Sequence, residues 1–405
     1  MKMKKIICSL MISVLCFMTA ISGVSAANTY DTAKLLDATD KAKTYYKEKG
    51  LSSKNYFDDI IAYEALGGEA ENDLDISQFE SKITVGYLGS MAKGVIVAKL
   101  LQKDPTQLTI NGTTVNLVEQ VESMVDANGC FGEQTGINYE IWGLLALEAV
   151  SSSKTELVAN HIASEINVDG GFWNFGYDAN WNIDYNVKVS SCDVTGWGIE
   201  ALSIAGKEKY ASTIQKAIQY LNNNQDDESG YLSYGSANPD TQACVVEGLS
   251  VYNRESLLNG NYNKNNKNPI DVLLAFQNSD KGSFWYNEPG EDNDSSAYAT
   301  QDAARALGTI VNGSVIYKAK GSGNPDYKIV REEPKTEPTT PVEPKKDTTP
   351  TQITTPTQTT TPAQTDKKAT AVKTGDDTNV VVYVSLSMMS AGLFLVLKKE
   401  YERAH

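Results

Sequence analysis

Six stretches of the chain are small and apolar almost all the way round a helix. They are IIAYEALGG (60–68), GVIVAKLL (94–101), IWGLLALEAV (141–150), GWGIEALSIAG (196–206), CVVEGLSVY (244–252) and AARALGTIV (303–311). Each keeps the three-and-four spacing of a helix face and continues apolar beyond it, so each needs neighbours on more than one side. Amphipathic segments alternate with them: residues 30–50, 116–126, 153–166, 210–224 and 269–279, with their charges gathered on one side. Buried helices alternating with outer ones predict an all-α fold for residues 30–330. The expected form is an α/α toroid, a closed ring of about six helical hairpins.

The connections repeat as well. ANGCFGEQ, VDGGFWNFG, DESGYLSYG and DKGSFWYNE each place Gly one or two residues before an aromatic. Glycine permits a tight turn at positive φ, and the aromatic wedges between neighbouring hairpins. Each such turn follows an outer helix and precedes an inner one, which predicts that Phe131, Phe172, Tyr231 and Phe284 share one rim. Two of the turns also carry Gln five residues before the Gly: Gln225 with Gly230, and Gln277 with Gly282. These Gln-x4-Gly-x-aromatic stretches resemble the repeat of squalene cyclases. The body resembles the terpenoid cyclase and protein prenyltransferase toroid superfamily, and is similar in form to transcobalamins and intrinsic factor. The resemblance implies a fold; one fold hosts unrelated functions.

Asp193, in SSCDVTGWGIEAL, is the first candidate for chemistry. SCDVTG resembles the Asp-x-Asp-Asp-Thr-Ala motif of squalene-hopene cyclases, in which the middle acid protonates substrate. That acid falls on Asp193 and the Thr on Thr195, whereas Ser191 and Val194 stand where the flanking acids belong. A strong acid donor needs neighbours that polarise it. Asp240–Thr241 and Thr300 occupy comparable helix starts, so the residue types predict that Asp193 is an N-cap, satisfying free amides of a first turn. The competing reading pairs Asp193 with Asp240, on adjacent inner helices, as the two acids of a cyclase-like or carbohydrate-active enzyme.

Other patterns are read structurally. GCFGEQTG resembles the thioester motif of complement-like toroids, but Phe131 is inserted and Cys130 and Gln134 stand one position too far apart. Asp178, Asn180, Asn182 and Asp184 open like a calcium loop without its Gly and Glu, which predicts a polar hairpin. Prenyltransferases of this superfamily hold zinc through Asp, Cys and His. His161 and His405 are the two histidines, and with Cys130, Cys192 and Cys244 scattered along the chain no metal site and no cofactor are expected. Of the five tryptophans, Trp173, Trp181 and Trp285 are the candidates for stacking on a ligand, because loops at a ring's mouth carry function.

The ends predict where the body resides. Lys2, Lys4 and Lys5, an apolar run to about Val24 and the small residues of GVSAAN read as a signal peptide over residues 1–26. Pro and Thr dominate residues 331–370, a linker that stays extended; at ~3.1 Å per residue, about forty residues reach on the order of 100 Å. Residues 371–405 combine AVKTG, an apolar span over 380–397 and the tail KKEYERAH. This resembles the sorting signal of Gram-positive surface proteins, with Ala371 and Val372 in place of its Leu and Pro. The resemblance implies sortase cleavage between Thr374 and Gly375. The net charge of −15 argues against nucleic acid as a partner. Together these features predict a secreted, anchored, non-catalytic module that binds a small molecule, glycan or protein.

Overall fold

The computed structural model describes residues 30–322 and Ile329, except residues 133, 134, 181, 234, 288, 291 and 292. The expected signal peptide, linker and sorting segment, with Thr374 and Gly375, lie outside the described residues, as do Gln134 and Trp181. Among the described residues no helix is long and apolar enough to cross a membrane.

The chain begins with α1 (Thr32–Lys49) and α2 (Tyr56–Ala65), a single turn α3 (Ala70–Asp73) and then α4 (Leu88–Leu100). An antiparallel hairpin, β1 (Leu108–Ile110) with β2 (Thr113–Val115), precedes α5 (Leu117–Ser123), α6 (Ile137–Ala149) and α7 (Thr155–Ser164). A second hairpin, β3 (Trp173–Tyr177) with β4 (Ile183–Ser190), leads into α8 (Cys192–Gly206) and α9 (Ala211–Asn223). The third, β5 (Leu232–Ser233) with β6 (Ser236–Ala237), is followed by α10 (Pro239–Leu258), α11 (Pro269–Leu274), α12 (Asp294–Asn312) and α13 (Val315–Lys320). The chain is thus helix-rich, and strands enter only as three two-stranded hairpins among the described residues.

The six small-apolar runs fall on α2, α4, α6, α8, α10 and α12, the first continuing three residues past the end of its helix. α2 packs on α4, α4 on α6, α6 on α8, α8 on α10 and α10 on α12, and α12 returns to α2. The amphipathic segments form α1, α5, α7, α9 and α11, which bury one face. In α9 that face is Ile214, Ala217, Ile218, Tyr220 and Leu221, whereas nearly every residue of α4 is buried. Small residues set the closest approach. A side-chain carbon on Gly248 of α10 would stand 2.1 Å from the Gly196 carbonyl oxygen of α8, far inside van der Waals contact.

The Gly-aromatic turns all dock on the N-terminal half of the inner helix that follows. The Phe172 N–H donates to Thr195 Oγ1 at 2.9 Å and the Phe284 N–H to Thr300 Oγ1 at 2.8 Å. Gln242 Nε2 donates to the Tyr231 carbonyl at 3.0 Å, and the Phe131 ring fills the notch left by Gly143. The repeated glutamines bind their turns to neighbours: Gln225 donates to the carbonyls of Ser229 and Tyr262, Gln277 to those of Gly282 and Ala38. The Ala38 contact fastens the last turn to α1.

α13 packs on α2, α4, α6 and α12. Buried glutamates on three inner helices meet this segment: Glu64 pairs with Lys318, Glu148 with Lys320, and Glu200 accepts from Ser314 Oγ. Burial, then the Glu247 charge, push Glu200 up to about 8, with Arg305 opposing them.

Candidate functional site

The N-terminal halves of the six inner helices converge on one cavity of about 350 Å³. α2 contributes Asp58, α4 Lys93, α6 Trp142, α8 Asp193 and Trp197, α10 Asp240, and α12 Asp302 and Arg305. The volume lies at the lower end of small-molecule sites, about 300–1,000 Å³.

Arg305 organises the interior of this site. Its Nε donates to both oxygens of Glu247, at 3.0 and 2.8 Å, and its Nη1 to Asp302 Oδ1 at 3.3 Å. Thr309 Oγ1 donates a third hydrogen bond to Glu247 at 3.1 Å. The guanidinium also lies over Trp142 and Trp197, 5.2 and 5.7 Å from the ring centres, where the ring quadrupole attracts a cation. Lys93 pairs with Asp58 at 2.7 Å and stands 4.8 Å from the Trp142 ring. The two indoles meet edge to face at 6.3 Å.

Several polar atoms here are buried without a hydrogen-bond partner: Asp193 Oδ1, Asp240 Oδ1, Gln301 Oε1, Trp197 Nε1 and Arg305 Nη2. Each such atom costs about 1–3 kcal/mol unless something binds it, so five around one cavity form an unsatisfied recognition surface. Burial, then the charges of Asp302 and Asp193, push the Asp240 carboxyl well above the usual carboxylate range. Asp302 is pushed up to about 6 by burial, against the Arg305 charge. Burial and the neighbouring carboxyl groups thus both favour the protonated form of Asp240, the direction that general acid–base chemistry uses.

The structure brings the expected acids together, since Asp193 and Asp240 line this cavity from adjacent helices, but it corrects the capping role. Ser191 occupies the N-cap position of α8, and Asp193 lies inside the first turn with Oδ1 unpartnered. Asn238 caps α10 by accepting from Thr241 N, so Asp240 is no cap either. Thr300 lies inside α12, where Asn293 is the cap; Thr300 and Thr195 receive the Phe N–H of a turn instead. The acids were matched to caps by residue type, whereas backbone angles decide which residue can turn its side chain back on free amides.

Of the tryptophans expected to stack on a ligand, neither Trp173 nor Trp285 lines this cavity. Trp173 is buried in β3, donates from Nε1 to the Glu165 carbonyl and is covered by Lys188 Nζ at 4.0 Å. Trp285 packs near Phe276, at 6.3 Å between ring centres, and its neighbour Tyr286 lines the cavity in its place. The indoles that line the cavity are Trp142 and Trp197. Sequence reasoning also missed Asp58, Lys93, Asp302, Arg305 and Glu247. One signal marked the last two: a single charge embedded in an otherwise small-apolar run.

Elsewhere, Asp178 Oδ1 accepts from the N–H groups of Asn180 and Asn182, closing the tip of the β3–β4 hairpin on itself. Cys130 is a free thiol in the first Gly-aromatic turn, pushed up to about 11 by burial and then by Glu140, with the Gly132 N–H opposing. It is thus poorly ionised for use as a nucleophile. Cys130 and His161, distant in sequence, meet at Glu140, and none of these three lines the cavity; Cys192 and Cys244 are not part of that group. No family model matches the chain, and no curated protein matches it.

Proposed function

We propose that this protein is an α/α toroid held on the outer face of a Gram-positive cell, whose central cavity binds a small, hydroxyl-rich, uncharged ligand such as one or two sugar rings. The observation that carries this reading is the set of five unpartnered buried polar atoms around an aromatic-walled cavity. Indole faces stack on a sugar ring, while the free acceptors and donors match hydroxyl groups that can do either. The cyclic order of inner-helix contacts supports the toroid, and the basic, apolar and small-residue pattern of residues 1–26 supports export. The AVKTG–span–basic tail supports anchoring, with Thr374 and Gly375 as the expected cleavage pair.

A second reading rests on one feature: Asp240, whose carboxyl group burial holds above the usual range, lines the same cavity as Asp193. In that reading the pair catalyses acid-assisted cleavage of a glycan or cyclisation of a polyprenyl chain. The experiment separates the two. Calorimetry of the full chain against neutral mono- and disaccharides and wall and host glycans is expected to find saturable binding, weakened at least tenfold by Trp197→Ala. Incubation with the same glycans and with squalene-like substrates is expected to yield no product. Product that disappears in both Asp193→Ala and Asp240→Asn supports the enzyme; no binding to any glycan overturns the first reading.

A further inference from the structure

The geometry points to a zinc-class metal site made by Cys130, Glu140 and His161, separate from the central cavity. The three side chains come from different segments: the turn after α5, the first turn of α6 and the last turn of α7. Cys130 Sγ stands 3.4 Å from Glu140 Oε1, and His161 Nε2 stands 3.0 Å from Glu140 Oε2. All three ligand atoms lie within 4.8 Å of one another. In a tetrahedral zinc site, with Zn–S about 2.3 Å and Zn–N and Zn–O about 2.0–2.2 Å, neighbouring ligand atoms stand roughly 3.3–3.7 Å apart. Cys130 and His161 each stand near that spacing from one of the two Glu140 oxygens, and no pair of the three ligand atoms is more than 4.8 Å apart, so modest side-chain movement brings them around a divalent ion.

Two further observations point to a ligand. Glu140 is 2 % exposed, so its carboxylate is a buried negative charge, and its Oε2 has only the partly exposed His161 imidazole beside it, at 3.0 Å. The backbone also holds the cysteine in place. Gly129 lets the turn approach α7 so closely that a side-chain carbon there would stand 2.4 Å from the Leu157 carbonyl oxygen and 3.1 Å from His161 Cβ. The Cys130 N–H is further held by Asp126 Oδ1 at 2.9 Å. A thiolate, an imidazole and a carboxylate together select zinc over the hard cations magnesium and calcium. Cys130 is only partly buried and the His161 side chain is 16 % exposed, which leaves water access to a fourth position. The ion would tie the turn to α6 and α7, and its binding to sulfur would release the Cys130 thiol proton to solvent.

The test uses the untagged full chain, stripped with a chelator and titrated with cobalt(II) and then zinc(II). One equivalent of cobalt is expected to produce a thiolate-to-metal charge-transfer band and the intense visible bands of a four-coordinate ion, both removed by zinc. Cys130→Ser is expected to abolish the charge-transfer band and weaken zinc binding at least tenfold, as is His161→Gln; Cys192→Ser leaves both intact. A measurement on the unaltered protein guards against variants that misfold: zinc is expected to slow alkylation of Cys130, followed by peptide mapping, at least tenfold. Cobalt spectra without a thiolate band, or equal alkylation of Cys130 with and without zinc, overturn the site. Neither result bears on ligand binding in the central cavity.

Discussion

Arg305 touches both charged and aromatic parts of the cavity, meeting two carboxylates and two indoles. Glu247, which it neutralises, is wholly buried, so Arg305→Met leaves a carboxylate in the interior without its cation. Breaking a buried pair from one side costs about 3–5 kcal/mol. Denaturant unfolding is expected to show a loss of that size, largely recovered in the double variant Arg305→Met/Glu247→Gln; a loss below 1 kcal/mol contradicts the role given to the pair. Each of the two is the single charge of its apolar run, a signal that all six runs carry. No signal marked their pairing, because a helix pattern says which residues are buried and not how each helix is rotated about its axis. Asp193 shows the same limit from the other side. Its place at the start of a helix was legible, while the direction of its carboxyl group, toward the cavity, followed only from the packing of α8 between α6 and α10.

At the scale of elements, periodicity located all six inner helices and all five outer ones, because each is either apolar all round or clearly two-faced. It did not find α13, whose six residues are too few to establish a period. Yet VIYKAK provides the cations for two buried glutamates. Lys318→Met is expected to lower stability by about 1–2 kcal/mol, less than an interior pair because Lys318 remains 44 % exposed and Glu64 keeps the Ala70 N–H. Thermal melts check this, with Lys209→Met on the exposed Lys209–Glu156 pair as the comparison, where no change is expected. Equal effects at both lysines argue against a structural role for α13. The β3–β4 hairpin was legible as a polar hairpin from its Asp and Asn spacing; the other two hairpins are only two or three residues per strand and left no pattern.

For the molecule as a whole, the buried carboxyl groups set an unusual response to pH. Asp302 is pushed up to about 6, Asp59 to about 7 and Glu200 to about 8, in each case first by burial. Between the unfolded values, about 4, and these folded values, the native state binds more protons than the unfolded chain. Their contribution to stability is therefore complete below about pH 4 and is lost as pH rises through about 6 to 8. The surplus of acidic side chains acts in the same direction, since protonation relieves self-repulsion. The melting temperature is expected to be higher at pH 5 than at pH 8, and Glu200→Gln is expected to flatten the upper part of that slope. A melting temperature that falls between pH 8 and pH 5 rules out this account of the buried acids. One further consequence follows from the return of α12 to α2, which Asn312 Nδ2 seals by donating to the Ala65 carbonyl across 247 residues at 2.9 Å. During synthesis, the flank of α2 emerges long before the helix that covers it. For most of that time the growing chain shows an uncovered apolar side, and closing so long a loop is slow. A chain cut short before residue 312 is thus a substrate for chaperones and proteases rather than a smaller working protein.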